Sequence, residues 1–423
     1  MGSGLPEWRV GSYVHSRTYS KASVYGGTGC AIEASTNDIF CWGANNIGQA
    51  GQPSTRSVFN PSKVEPHVRI PQVLSGITAT EGNSCIRKGN VTFCWGSSNQ
   101  GQLGLGEGER SIEVYPQEIN LMNIVQSSPA YAHICHLDNL GDIYCSGNNE
   151  SHQVSPSTST KLFINQKIVL PLPALKVSTG RNFTCALLND KSVWCWGDND
   201  VGQTGNGINT GDVLNPSKVV NLDSVEEIHT SGISLSACAI KTDRSVWCWG
   251  YNANYEISSQ EGHHRSPVVI AQYKNAASLS LGSNSICALS ISGKAVCAKA
   301  NNRGQAGLGN TTSNLGFHTV KISTALTQIK SGTEHVCAKD MSEDLYCWGK
   351  NDFGQIGYGD ESSSVNSPRR VLSDVKEFAL GGDHTCAITN QNKLMCWGFN
   401  GLGQLGIGSQ LDSNKPETSD ITK

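Results

Sequence analysis

The chain has 423 residues, of which 16 % are charged and 46 are glycine, with a formal net charge of −3 and a pI near 6.4. So near-neutral a balance lacks the basic stripe that phosphate neutralisation requires, which speaks against nucleic acid as a partner. No window approaches the roughly 20 consecutive apolar residues that cross a bilayer, no apolar run after Met1 reads as an intact export signal, and Gly at this level points to an all-β chain full of tight turns.

The sixteen cysteines fall into eight local pairs with none left over. In chain order Cys30 goes with Cys41, Cys85 with Cys94, Cys135 with Cys145, Cys185 with Cys195, Cys238 with Cys248, Cys287 with Cys297, Cys337 with Cys347 and Cys386 with Cys396. Their second members advance in steps of 53, 51, 50, 53, 49, 50 and 49, a fixed period that marks a repeat array. Residues 1–5 read as a terminal tail and 6–423 as one body of eight repeats.

Repeats one and two follow their second cysteine with Trp42-Gly43 and Gly48-Gln49, then Trp95-Gly96 and Gly101-Gln102. Repeat three breaks the pattern: Ser146 stands for Trp, and Asn148-Asn-Glu-Ser-His-Gln153 follows. Repeat four restores it with Trp196-Gly197 and Gly202-Gln203, and its segment Ala186-Leu-Leu-Asn-Asp-Lys-Ser-Val-Trp194 has a polar turn between short apolar runs, the signature of a β-hairpin. Such a turn sets the paired cysteines opposite each other on adjacent strands, so each is expected to bridge to its hairpin partner. Zinc knuckles use two to four intervening residues and commonly a histidine, a poor match to these spacings. Disulfides place the chain in an oxidising compartment, secreted or extracellular.

Repeat five keeps Trp249-Gly250 but continues Tyr251-Asn-Ala-Asn-Tyr255 and then His263-His-Arg265. Tyr and Arg are favoured interface anchors, so Tyr251, Tyr255, His263, His264 and Arg265 form the candidate partner-binding patch, against the plainer reading of loop drift. Repeat six has Cys297-Ala-Lys299 in place of Cys-Trp-Gly, whereas repeats seven and eight carry the full Cys347-Trp-Gly-Lys-Asn-Asp-Phe-Gly-Gln-Ile-Gly357 and its counterpart from Cys396 to Gly406. Four sequons, at Asn90, Asn149, Asn182 and Asn310, are glycosylation candidates. No Gly-x-Ser-x-Gly elbow, Walker loop or His-Glu-x-x-His pair occurs, so no catalytic residue, metal or cofactor is expected.

A Pro-x-x-Val segment, a second short strand, a cysteine hairpin and Trp-Gly-x-Asn-x-x-Gly-Gln-Leu-Gly within about fifty residues resembles the regulator-of-chromosome-condensation repeat. Its cysteine-bearing form is similar to the extracellular repeats of crinkly-type receptor kinases. The resemblance implies a β-propeller of four-stranded blades. Eight blades are expected, with seven plus an appended hairpin as the alternative, and Lys415-Pro-Glu-Thr-Ser-Asp420 is expected to complete the first blade and close the ring. A nuclear exchange factor fits neither the cysteines nor the charge, and the Gly-Trp-Arg-His-Thr motifs of the plant ultraviolet-B photoreceptor are missing. The expected function is a protein- or glycan-binding or structural assembly module, in a polymer or alone. A secreted enzyme inhibitor is the alternative, and a propeller enzyme working at the central channel is the weakest of the three.

Overall fold

The structure is a computed structural model that describes residues 18–418 except 26, 54–55, 65–73, 80–82, 89, 107–111, 131, 209–210, 232–233, 254–256, 259–261, 283–284, 300, 313–316, 361, 402–404, 406 and 408–409. The tail assigned to 1–5 lies outside the described residues. Thirty-two strands and no helix occur among those described, arranged as eight four-stranded antiparallel sheets. Every sheet uses four consecutive strands, so blades 1 to 8 occupy residues 19–63, 74–122, 124–167, 174–218, 225–269, 276–319, 326–372 and 375–418. The first strands of successive blades touch, blade 8 meeting blade 1, and form the inner wall of a closed ring. The blade count is eight, and the seven-blade alternative falls.

Ring closure differs from expectation. The strand Ser413–Thr418 pairs with Leu394–Gly398 as the outer strand of blade 8 and adds nothing to blade 1. Its Lys415-Pro416 matches Asn215-Pro216 in the outer strand of blade 4, which explains why it looked like the start of a new repeat. The last joint is made by side-chain packing and one main-chain hydrogen bond: Tyr19, Phe40 and Trp42 of blade 1 pack with Ile388 and Leu394 of blade 8, and the Tyr19 amide donates to the Asn392 carbonyl at 2.8 Å.

Each blade carries one disulfide, and the pairing is the one the hairpins imply. In blades 1 to 4 the bridges join Cys30 to Cys41, Cys85 to Cys94, Cys135 to Cys145 and Cys185 to Cys195. In blades 5 to 8 they join Cys238 to Cys248, Cys287 to Cys297, Cys337 to Cys347 and Cys386 to Cys396. All eight pairs face each other in register across the second and third strands, with Cα atoms 4.1 to 4.2 Å apart. Every one of these cysteines is at most 2 % exposed. The bridges therefore sit inside the stack of neighbouring blades, where strands such as Thr28–Glu33 and Phe183–Leu188 are buried along their whole length.

Between blades the repeat residues perform a second task. In blades 2, 4, 5 and 7 the Trp after the second cysteine lies against the preceding blade, and its indole N–H donates to the carbonyl of that blade's loop Gln: Trp95 to Gln49 at 3.0 Å, Trp196 to Gln153 at 2.9 Å, Trp249 to Gln203 at 2.9 Å and Trp348 to Gln305 at 3.0 Å, whereas the buried indole nitrogen of Trp397 in blade 8 makes no such bond. The loop is itself tied by the Asn of Trp-Gly-x-Asn, whose Oδ1 accepts a backbone N–H five residues on, as in Asn199 to Thr204 (3.2 Å) and Asn351 to Ile356 (3.0 Å). A buried polar tip on a large apolar body is what an aromatic latch needs.

Trp249→Ala should therefore cost about 3–5 kcal/mol by opening a cavity and orphaning the Gln203 carbonyl. Trp247, two residues earlier and partly exposed, is the control. Denaturant unfolding of the two variants should differ by more than about 2 kcal/mol, and equal losses would show that the latch contributes nothing special.

Candidate functional site

Two repeats that lack the Trp solve the joint differently. In blade 3 the Ser146 hydroxyl donates to the Gln102 carbonyl at 3.2 Å, taking over the hydrogen bond without the bulk. In blade 6, where Ala298 replaces Trp, the buried Tyr273 from the connection between blades 5 and 6 enters the joint. Its hydroxyl donates to the Ile286 carbonyl at 2.6 Å and its ring stands edge-on to Phe317 at 5.0 Å.

The irregular loop of blade 5 lies beside this altered joint. Tyr251 stacks on His263 with ring centroids 5.1 Å apart and planes 25° from parallel. The Asn252 amide donates to His263 Nδ1 at 3.2 Å, which orients the imidazole under the Tyr. Burial, with Arg265 nearby, holds His263 below the ordinary histidine pKa, and burial followed by His263 does the same for His264. Both rings are thus neutral at pH 7, suited to hydrogen bonding and stacking rather than to ion pairing. Tyr255 lies outside the described residues.

His264 and Arg265 are less available. They open the outer strand His264–Val269, where Ser258 Oγ meets His264 Nε2 at 2.7 Å and the Arg265 carbonyl accepts the Gly207 amide of blade 4 at 2.9 Å. The structure thus brings Tyr251, His263, His264 and Arg265 into one neighbourhood, with Tyr251 and His263 as its aromatic face. Among the described residues no group of three or more His, Cys, Asp or Glu is placed to hold a metal.

The four sequons are not equivalent. Asn90 is exposed in the turn between the second and third strands of blade 2, and Asn310 is exposed with its Oδ1 accepting from Asn301 Nδ2 and the Thr312 amide, each at 3.2 Å. Asn182 is half-buried, and the hydroxyl of its sequon Thr184 is turned inward to the Gln153 carbonyl at 3.1 Å. Asn149 corrects the sequence reading. It is 2 % exposed and is the loop-tying Asn of blade 3, with Nδ2 donating to the Ser157 and Ser159 carbonyls at 3.1 and 2.9 Å. A glycan on that nitrogen would remove both bonds and has no room in this fold.

Sequence reasoning missed a set of buried histidines. His133 and His335 are fully buried and cross the joint to the next blade, Nε2 lying 3.0 Å from Thr184 Oγ1 and from Thr385 Oγ1. His384 occupies the same position in blade 8, but Gly29 stands where the Thr would be, and neither ring nitrogen has a partner. Burial lowers the pKa of His133 to about 3 and of His384 to about 4, and that of His136, whose Nδ1 meets Ser127 Oγ at 2.9 Å, to about 4. The recurring His-x-Cys at 133–135, 335–337 and 384–386 was the signal.

This architecture defines a class: a radial propeller whose blades are latched by Trp-Gly-x-Asn-x-x-Gly-Gln loops. Residues 175–203, 326–355 and 375–404 match the model of the regulator of chromosome condensation (RCC1) repeat, and 342–388 match a second model of the same repeat. Those segments carry RCC1 repeats, and they lie in a propeller of eight blades. The human E3 ubiquitin-protein ligase HERC2 is 26 % identical over 291 residues, which is 65 % of this chain but only 6 % of the ligase. Among solved structures, human WBSCR16 superposes with a TM-score of 0.65 at 20 % identity, covering 79 % of this chain and 94 % of that one. Yeast RCC1 (Prp20), solved bound to Kap60, superposes at 0.62 and 16 % identity, covering 100 % of this chain and 92 % of that one. These two likenesses are likenesses of fold.

Proposed function

We propose that this propeller is a protein-binding module that works outside the reducing cytosol, as a secreted or extracellular protein, and that its partner surface is centred on Tyr251 and His263. The observation that carries the proposal is the joint between blades 5 and 6, where the repeat gives up both its Trp and its regular loop for a stacked aromatic pair. Eight buried intra-blade disulfides favour an oxidising compartment, and the similar yeast propeller was solved bound to another protein. A rigid ring gives broad surface without requiring chemistry of its own. In a glycosylating secretory pathway Asn90 and Asn310 are the proposed acceptors.

Crosslinking with mass spectrometry in native extract tests the binding role. Crosslinks should gather on the loops around Tyr251 and His263 and fall at least about tenfold when both are replaced by alanine, as expected when central aromatic anchors are lost. Recovery of the wild-type chain as a free, monodisperse monomer would sink the proposal.

A further inference from the structure

The joint between blades 3 and 4 differs from those leaving blades 2, 4, 6 and 7 in a way the Trp pattern does not announce. At the joints leaving blades 2, 4, 6 and 7 the loop presses on the next blade's outer strand. A Cβ on Gly101, Gly202, Gly304 or Gly354 would stand 2.7, 2.6, 2.4 or 2.5 Å from the backbone of Leu162, Arg265, Asn366 or Asn414. Five residues on, the amides of Gly106, Gly207, Gly309 and Gly359 donate to the carbonyls of Phe163, Arg265, Asn366 and Asn414 at 2.7 to 2.9 Å. The loop thus acts as a short extra strand, antiparallel where Leu105 pairs with Ile164.

Blade 3 has lost all three glycines of this contact. His152, at φ 59°, occupies the first position and puts a side chain where the others have none. Ser155 stands at the position of Gly205, where a Cβ would come 2.8 Å from the Trp249 ring. Ser157 stands where Gly207 donates to the next strand, and its amide turns back to Ser155 Oγ at 3.2 Å instead. The matching acceptor on blade 4 is the carbonyl of Leu214, and the loop does not reach it. What remains is a cleft of ≈ 290 Å³, floored by Trp196, walled by Pro156, Ile168 and Pro216, and open beside Leu214, which is 45 % exposed.

We propose that this cleft is a docking site for an extended segment of a partner protein that takes the place the glycine loop holds at the joints leaving blades 2, 4, 6 and 7. The segment runs antiparallel to the outer strand Val213–Lys218, donates one backbone N–H to the Leu214 carbonyl and lays one apolar side chain between Pro156 and Pro216. Strand addition of this kind gives affinity through the main chain and selectivity through a side-chain pocket. The charges at the two ends fix its polarity. Asp212, at the start of the strand, interacts with Asp198, Asp200 and His152, while Lys218 lies at its far end, near Lys167, which is itself paired with Asp142 at 2.6 Å. Antiparallel seating therefore calls for a segment acidic toward its N-terminus, apolar at the centre and basic toward its C-terminus. The proposal rests on the protein-binding reading only for the class of its occupant. Its residues share none with the Tyr251 surface, so either site can fail alone.

The probe is an acetylated, amidated Glu-Gly-Leu-Gly-Lys peptide, whose centre copies Gly104-Leu105-Gly106, titrated into methyl-labelled full chain and followed by NMR. Shifts should concentrate on Val154, Ile168 and Leu214, and the charge-reversed Lys-Gly-Leu-Gly-Glu should bind at least about fivefold more weakly. Copying blade 4's loop into blade 3, as His152→Gly, Ser155→Gly, Pro156→Asn and Ser157→Gly together, should close the cleft and weaken binding at least about tenfold. Leu214→Arg, at an exposed position, should do the same without touching the loop and decides the matter if the loop variant does not fold. Unchanged affinity in both variants, no shift at these methyls, or peptide-free shifts that grow with protein concentration and mark a second copy in the cleft would each overturn the proposal.

Discussion

Full reduction of the eight disulfides unfolds the ring at 37 °C. Each bridge spans 9 to 11 residues, and the chain-entropy model assigns a loop of that length about 2–3 kcal/mol. Eight such contributions amount to roughly 20 kcal/mol, more than the roughly 5–15 kcal/mol by which folded domains usually exceed their unfolded state. Because the sulfurs are at most 2 % exposed, reductant reaches them only through local opening, so reduction is slow in the cold and rapid near the melting transition. Circular dichroism with and without a phosphine reductant, after equilibration, gives the result directly. A reduced chain that keeps its melting midpoint would show that packing between blades suffices. The intermediate case is Cys185→Ala with Cys195→Ala, which should remove roughly 2–3 kcal/mol and leave the other blades intact, since each bridge closes only its own hairpin.

Acid weakens the ring well before its carboxylates protonate. His133, His136 and His384 have folded-state pKa values of about 3, about 4 and about 4 because burial excludes the charged form, against 6.5 in the unfolded chain. Their folded values are depressed, so the stability they contribute is complete above pH 6.5 and is lost as pH falls from there toward 4, because only the unfolded chain takes up the protons. The slope approaches about 1.4 kcal/mol per pH unit per histidine, which gives roughly 2 kcal/mol each by pH 5. Asp190 and Asp243, held below the usual carboxylate range by the hydroxyls of Ser192 and Ser245, act only below this window. Guanidinium unfolding at pH 7 and pH 5 measures the effect, and His384→Met should reduce it by roughly 2 kcal/mol. A free energy of unfolding equal at the two values would mean that these rings are hydrated in solution.

The blade count and every disulfide were legible because both depend on local spacing. A two-stranded hairpin with its turn midway leaves little choice of partner, and the in-register pairs, Cys41 opposite Cys30 as much as Cys248 opposite Cys238, bear this out. The loop Asn was read as a turn residue, yet in blade 3 the same residue also satisfies the sequon pattern, and only burial separates the two readings of Asn149. Contacts across a joint were harder. His133 meets Thr184 and His335 meets Thr385 over 51 and 50 residues, a distance at which the repeat period is visible but the side-chain pairing is not. The cleft at blade 3 was legible only as missing glycines, because what those glycines touch lies on the next blade.

Closure without a shared strand has a mechanical meaning. Since each blade is made of consecutive residues and no strand is shared across the joint between blades 8 and 1, a pull on the two ends of 18–418 loads one packed interface edge-on instead of shearing a ladder of backbone hydrogen bonds. The ring would open like a clasp, and each blade, riveted through its own hairpin, would come away whole.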